Sequence, residues 1–267
     1  MEEDAERIKS VSVDQIRDAY SRLLSSSVSE LTIVGDFDPD AVVGSVDRFT
    51  EGWTSEVPFA RLARVHVDNK RGKVESINTP DKPNAAYVAG MTIPMKDSDP
   101  DFAAITIGNF ILGGDGLSSR LGNRVRQQDG LSYTIQSGLQ PSAVDERTAF
   151  MIFAISNPEN SSKVHQAIQE ELKILLNEGI TQEELDAAKA GYLQEQQVQR
   201  TDDGSLTQML EVYSFIDRDM KFVAGFEERL QKLTVEDVNA AMKKHIDPKR
   251  LFVVMAGDFD AAVKAKK

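Results

Sequence analysis

A chain of 267 residues with 40% hydrophobic content is long enough to bury a sizeable core, which excludes a disordered tract. Forty-three acidic against 31 basic residues leave a net charge of −12, so long-range electrostatics oppose phosphate backbones and anionic lipid, and no nucleic-acid partner is expected. With no cysteine there are no disulfides, thiolate zinc sites or cysteine nucleophiles. "EEDAERIKS" after Met1 lacks the basic and apolar regions of a leader, and no apolar run reaches the roughly 18 residues of a membrane span. The chain reads as soluble.

Taken from its start, the chain opens on a unit that returns near its end. Residues 11–38, "VSVDQIRDAYSRLLSSSVSELTIVGDFD", align without a gap on residues 233–260, "LTVEDVNAAMKKHIDPKRLFVVMAGDFD", at a constant offset of 222. Ser12 falls on Thr234, Ile16 on Val238 and Ala19 on Ala241. In each copy a Ser or Thr with a polar residue three positions on (Gln15, Asp237) opens a helix, and a short apolar strand follows, ending in "GDFD". The strands at 31–36 and 251–256 are therefore expected at equivalent places in two separate sheets. The second copy has a long stretch of its unit ahead of it and the first has little. Roughly 160 residues of the first unit are accordingly expected upstream of Met1. The expected organisation is a helix–strand–helix tail of a preceding homologous domain at 1–51, a linker at 52–62, and a complete domain at 63–267. The tail is expected to expose Ile33, Val42 and Val43.

The complete unit reads as α+β. "ARVHVDNKRGKVESI" predicts a hairpin with its turn at 69–72, and "NAAYVAGMTIP" a strand. "DPDFAAITIGNFILGG" predicts a helix capped by Asp99, with Phe102, Ile105, Phe110 and Leu112 turned inward. A shorter helix follows at 117–127, then an antiparallel pair, "LSYTIQSGLQ" and "RTAFMIFAIS", turning near Pro141 and Ser142. Beyond Ser161 helices dominate. Val164, Ile168, Leu172 and Leu175 share one face, Gly179 stops that helix, and Thr181 with Glu184 is a capping box for the next. This order predicts one antiparallel sheet covered by helices.

Within "RVRQQDGLSYTIQSG" (124–138) the short helix hands over to a strand. Leu117, Leu121 and Val125 are spaced i, i+4, i+8 and define its buried face, flanked by Arg120 and Arg124. At ~100° per residue Arg126 lies about 140° from that face and points outward. Tyr133 begins the strand, so a guanidinium and a phenol can converge on an open surface and donate hydrogen bonds to a peptide carbonyl or carboxylate. The plainer reading of the same two residues is a solvated helix-end arginine and a half-buried strand tyrosine.

"GGDGLSSRLGNRVRQQDGLSYTIQSG", "VGDFDPDA", "GITQEELDAAKAGYL" and the duplication together resemble the insulinase/pitrilysin family of inverted-motif zinc peptidases, over essentially the whole chain. The resemblance implies antiparallel, helix-covered units that close on a peptide substrate as two halves, one carrying zinc. It implies for the other half an Arg and a Tyr, here Arg126 and Tyr133, that hold substrate and stabilise the developing oxyanion. The family's zinc half needs H-x-x-E-H, and none of His66, His165 and His245 has a second ligand one turn away. The chain is thus read as the zinc-less, substrate-binding half, with no catalytic or metal-ligating residue of its own. On its own it is expected to be inactive. Zinc is expected in a homologous partner half, in the same longer chain or as a separate subunit. The alternative is a scaffolding homologue with no role in proteolysis. Long bacterial members point to the periplasm or cell envelope.

Other candidates are weaker. "GGDG" (113–116) lacks the Lys-Ser/Thr of a phosphate-binding loop, and Ser118 and Ser119 lack a nucleophile elbow. Glu170-Glu171, Glu183-Glu184 and Glu227-Glu228 read as solvated carboxylates. Arg120, Arg124 and Arg126 lack the interleaved aromatics of a nucleic-acid surface.

Overall fold

The structure, a computed structural model, describes residues 2–68 and 71–264. Along the chain run α1 (Glu2–Ser10), α2 (Val13–Leu23), α3 (Pro39–Thr50), β1 (Val74–Asn78), β2 (Ala85–Ile93), α4 (Phe102–Asn109), β3 (Ser132–Gln140), β4 (Thr148–Ser156), α5 (Ser161–Glu178), α6 (Gln182–Gln199), α7 (Asp203–Phe215), α8 (Met220–Gln231), α9 (Val235–His245), β5 (Phe252–Gly257) and α10 (Phe259–Lys264). They form two compact units, Met1–Ala63 with Arg200–Arg218, and Arg64–Gln199 with Asp219–Lys267. Helix α7 groups with the first unit. No described helix is long and apolar enough to cross a membrane.

The larger unit has the α+β class that the element order implies, one five-stranded sheet in the order β1-β5-β2-β4-β3 covered by helices. Pairing is antiparallel from β5 through β2 and β4 to β3. The exception is β1, which runs parallel to β5 with Val74 opposite Val253. The expected hairpin is corrected on this point. Residues 64–68 form no strand, and Asn69 and Lys70 of its turn lie outside the described residues. Backbone bonds from Gly72 N–H to the Lys249 carbonyl (2.7 Å) and from Val253 N–H to the Lys73 carbonyl (2.7 Å) lead the second arm onto β5.

Alternation makes the sheet two-faced. Along β2, Ala85, Tyr87, Ala89, Met91 and Ile93 are buried, and along β4 Thr148, Phe150, Ile152, Ala154 and Ser156 are, so one face of each strand lies against the helical layer. Helix α5 closes that layer with Val164, Ile168, Leu172 and Leu175, all buried and spaced for one stripe. Each such side chain contributes about 1.5–3 kcal/mol on leaving water. Gly179 ends α5 at φ +82, a backbone region that side chains disfavour, and the Thr181–Glu184 box opens α6 with bonds of 2.8 and 3.2 Å. Asp99 does not cap α4. Its carboxylate accepts the Lys96 N–H (2.6 Å), and the helix begins after Asp101.

The smaller unit is different in kind. None of its described residues is fully buried. It is held by ring contacts of Trp53 with Tyr20 and Phe49, each at 6.4 Å, by Phe59 against Phe215 (6.5 Å), and by the Ser26 N–H and hydroxyl donating to the Trp53 carbonyl (3.1 and 3.0 Å). Residues 31–36 form no strand, contrary to expectation, because a strand exists only with a hydrogen-bonded neighbour and the described residues supply none here. Ile33 and Val43 are exposed and Val42 is half-buried.

Candidate functional site

The helix-to-strand junction is built from widened turns. After α4 the chain makes a π-helical turn (Phe110–Gly114), a 3₁₀ turn (Gly116–Ser118) and a second π-helical stretch (Gly122–Gln128). The α-helix expected at 117–127 is corrected accordingly. Leu121 and Val125 are fully buried, but Leu117 is exposed, because three consecutive helical turns do not form. The Asp129 N–H donates to the Arg124 carbonyl (3.1 Å), the i→i+5 closure of a π-bulge, a feature common at functional sites. Arg126 sits on the exposed side of this stretch. Among the described residues its guanidinium has no hydrogen-bond or ion-pair partner.

Tyr133 lies where β3 meets β4 out of step. Ser132 pairs with Ser156 and Thr134 with Ile155, so Tyr133 is the extra residue of a β-bulge on an edge strand. Its ring is exposed and its hydroxyl donates to Asn157 Oδ1 (2.9 Å). Asn157 in turn lines a cavity of about 500 Å³ with Asp81, Lys82, Pro83, Glu159 and Asp258. Both candidate side chains thus face solvent, but the Tyr133 hydroxyl is engaged by Asn157, and Arg126 does not line this cavity. Asn157 was not legible beforehand, since nothing local to 157 marks it as a tyrosine's partner 24 positions away.

Arg120 belongs to the framework. Its Nε and Nη2 donate to the Glu184 carboxylate at 2.6 and 2.7 Å, and Nη2 also donates to the Gly179 carbonyl (2.9 Å), tying the junction to the α5–α6 turn. Burial works against the Arg120 charge, yet the Glu184 hydrogen bonds and charge outweigh it and hold the guanidinium protonated. Burial likewise pushes the Glu184 carboxyl up, and the bonds from Arg120 and Thr181 more than offset this, leaving it below its usual value. Glu171, 3.9 Å from Arg120, is raised by burial against the pull of Arg120 and Arg124. Two of the glutamates read as solvated, Glu171 and Glu184, are therefore parts of a partly buried ion cluster. Their long-range partner is invisible to local periodicity.

Two of the three histidines are paired without a metal. His165 Nδ1 shares a hydrogen bond with the Tyr87 hydroxyl (3.1 Å), and burial lowers its pKa. His245 Nε2 contacts Asp101 Oδ2 at 2.8 Å, beside Lys244. Among the described residues no group of three or more His, Cys, Asp or Glu side chains is placed to hold a metal ion. The described residues do not fit a zinc site.

With this geometry in view, the comparisons with known proteins decide the family. A family model described as the Peptidase M16 inactive domain matches residues 10–192, more than half of the sequence. The chain belongs to the M16 peptidase family. The matched portion of this M16 chain is that family's inactive domain, in agreement with the resemblance carried by its motifs. It is 22% identical over 247 residues to a protein named non-peptidase homolog YmxG from Helicobacter pylori, covering 91% of this chain and 55% of that one. A crystal structure of a peptidase M16 inactive domain from Pseudomonas fluorescens aligns with a TM-score of 0.79 at 25% identity, over 95% of this chain and 59% of that one. A protease structure from Helicobacter pylori shares the fold, with a TM-score of 0.80 at 16% identity, over 94% and 60% of the two chains. The M16 chain thus spans little more than half the length of each of these three proteins.

Proposed function

We propose that this M16 chain is the substrate-binding, non-catalytic half of a zinc metallopeptidase and works with a homologous half that supplies the metal. The observation that carries the reading is Arg126, an exposed guanidinium with no partner among the described residues, held on a π-turn beside the bulge that carries Tyr133. An arginine left unpaired on a rigid turn is available to a carboxylate or a peptide carbonyl. Tyr133 exchanges its bond to Asn157 for one to substrate. Zinc held by the partner half would supply the activated water; Arg126 and Tyr133 here hold the peptide and its developing oxyanion.

The test is steady-state kinetics on a peptide substrate with the zinc-bearing half present. Arg126→Ala and Tyr133→Phe are each expected to lower kcat/KM about a hundredfold, the loss of about 3 kcal/mol from one preorganised donor. Arg120→Ala is unsuitable as a control, since Arg120 is bound to Glu184 and Gly179. Gln128→Ala, exposed on the same turn, takes its place. Full activity in both Arg126→Ala and Tyr133→Phe would overturn the reading. A second reading, a scaffold without proteolysis, is favoured by the Tyr133–Asn157 bond and by the name of the Helicobacter pylori relative. Absence of H-x-x-E-H from the gene's upstream frame and its neighbours would favour it.

A further inference from the structure

A phenol has one O–H proton, and here Asn157 takes it: the Tyr133 hydroxyl donates to Asn157 Oδ1 at 2.9 Å. Both residues are pinned through their neighbours. Ser132 and Ser156, which precede them, pair as the last rung between β3 and β4, and the Ser132 hydroxyl donates to the Ile155 carbonyl (2.8 Å). The Asn157 carbonyl accepts the Asn160 N–H (2.9 Å) and the Ser156 hydroxyl (3.1 Å), and Pro158 keeps the Asn157 backbone extended at φ −62, ψ 143. The side chain of Asn157 is freer than its backbone. Its amide nitrogen has no hydrogen-bond partner among the described residues, and the residue borders the cavity of about 500 Å³. The terminal torsion of an asparagine has two broad wells half a turn apart, so the amide can turn over there and present its nitrogen where its oxygen stood.

We infer that Asn157 is the positioning residue of Tyr133 and changes from acceptor to donor as the site fills. In the free chain Oδ1 accepts the phenol O–H and aims the ring. When the phenol turns that O–H to the developing oxyanion, its lone pairs are left facing the amide, and the turned-over amide donates Nδ2–H to them. A phenol whose oxygen accepts one bond is a stronger donor in the next, because hydrogen bonds in a chain polarise one another. Asparagine suits both states, since one planar group carries an acceptor and a donor. An aspartate of the same shape only accepts when ionised. The inference rests on the proposed role of Tyr133 at the oxyanion and adds how the phenol is readied for it.

The test substitutes Asn157 alone and on a Tyr133→Phe background, and reads kinetics on a peptide substrate with the zinc-bearing half present. Asn157→Ala and Asn157→Asp are each expected to lower kcat about fivefold with KM within about twofold, and Asn157→Ala to leave the melting temperature of the isolated chain within about 4 °C. On the Tyr133→Phe background neither should cost anything further, because Asn157 acts only through the phenol. That cycle separates loss of the amide donor from the charge of the aspartate, which would slow the reaction on either background. A second readout needs no catalysis. In the isolated chain, isotopically labelled at tyrosine Cζ, the Tyr133 signal is expected to move on Asn157→Ala as the resting bond is lost. The inference is overturned if Asn157→Asp keeps full kcat, if either loss recurs in full on the Tyr133→Phe background, or if the Cζ signal stays in place. Any of these results, with kcat/KM still lowered by Tyr133→Phe, would leave the oxyanion reading standing. Full activity in Tyr133→Phe would overturn this inference together with the part of that reading that concerns Tyr133.

Discussion

The two copies of the helix–turn–strand repeat begin alike and end differently. Helices α2 and α9 start and stop at the same aligned positions, with the same reciprocal capping box, from Ser12 and Gln15 in one and Thr234 and Asp237 in the other. Both are followed by a 3₁₀ turn at aligned positions, Ser26–Val28 and Pro248–Arg250. Then they part. The second copy becomes β5, held between β1 and β2, while the first runs on without a ladder. Even "GDFD" is used differently. Asp258 accepts the Ala261 N–H ahead of α10, whereas in the first copy Asp38 caps a helix that starts two aligned positions later at Pro39, where proline's missing N–H is harmless. Helix, cap and turn are thus encoded within their own span. A strand is a property of a pair.

The widest gap between the copies is expected in the core. Ile246→Ala, at a buried site closing α9, should cost about 2–5 kcal/mol, and the aligned Leu24→Ala, half in water, less than about 1 kcal/mol. Urea titration of the two variants checks this, and equal losses would show that the first copy is covered after all. Next comes a polar contact. Asn239 Oδ1 accepts the Ile180 N–H at 2.9 Å and so closes the end of α5, while its counterpart Arg17 pairs only with Asp14 on an exposed helix. Asn239→Ala leaves that N–H unmet and should cost about 1–3 kcal/mol, against less than about 0.5 kcal/mol for Arg17→Ala.

Those contrasts also show which parts of the molecule were legible. Strand alternation located β2, β3 and β4, and the apolar stripe located α5, because each pattern is local and repeats with the period of its element. The parallel partner of β1 was not legible, since Val74 and Val253 are brought together by the whole sheet. Nor was the grouping of α7 with the first unit. At the site, the exposure of Arg126 and Tyr133 was readable from periodicity and position. The π-turns were not, and neither was the Arg120–Glu184 pair, which spans 64 positions and whose acidic member is marked locally only as the capping partner of Thr181. Contacts made across long sequence separations leave no local signature.

Capping offers a contrast of equal cause and unequal readout. Ser12→Ala and Thr234→Ala remove the same bond, worth about 1 kcal/mol. The second should lower the cooperative melting transition. The first should reduce helix content by circular dichroism while leaving that transition in place, because α2 is a short helix with no buried residue to couple it to a core. A matching shift of the transition for Ser12→Ala would mean that the two units unfold together.

The smallest expected difference is in acid. All three histidines lie in the second unit, and the chain's single tryptophan, Trp53, lies in the first, so the two units carry separate reporters. Burial against Tyr87 holds the His165 pKa below its ordinary 6.5. Between the two values the unfolded chain takes up a proton that the folded chain does not, so stability rises with pH across that interval. The contribution is complete above about 6.5 and is lost as the pH falls below it. The second unit should therefore melt at a slightly lower temperature at about pH 5 than at about pH 7, and His165→Gln should flatten that slope. Over the same range Trp53 fluorescence should not change, since no histidine belongs to the unit that contains it. A slope that survives His165→Gln would show that the effect does not come from His165. A parallel change in Trp53 fluorescence would instead couple the first unit to the second.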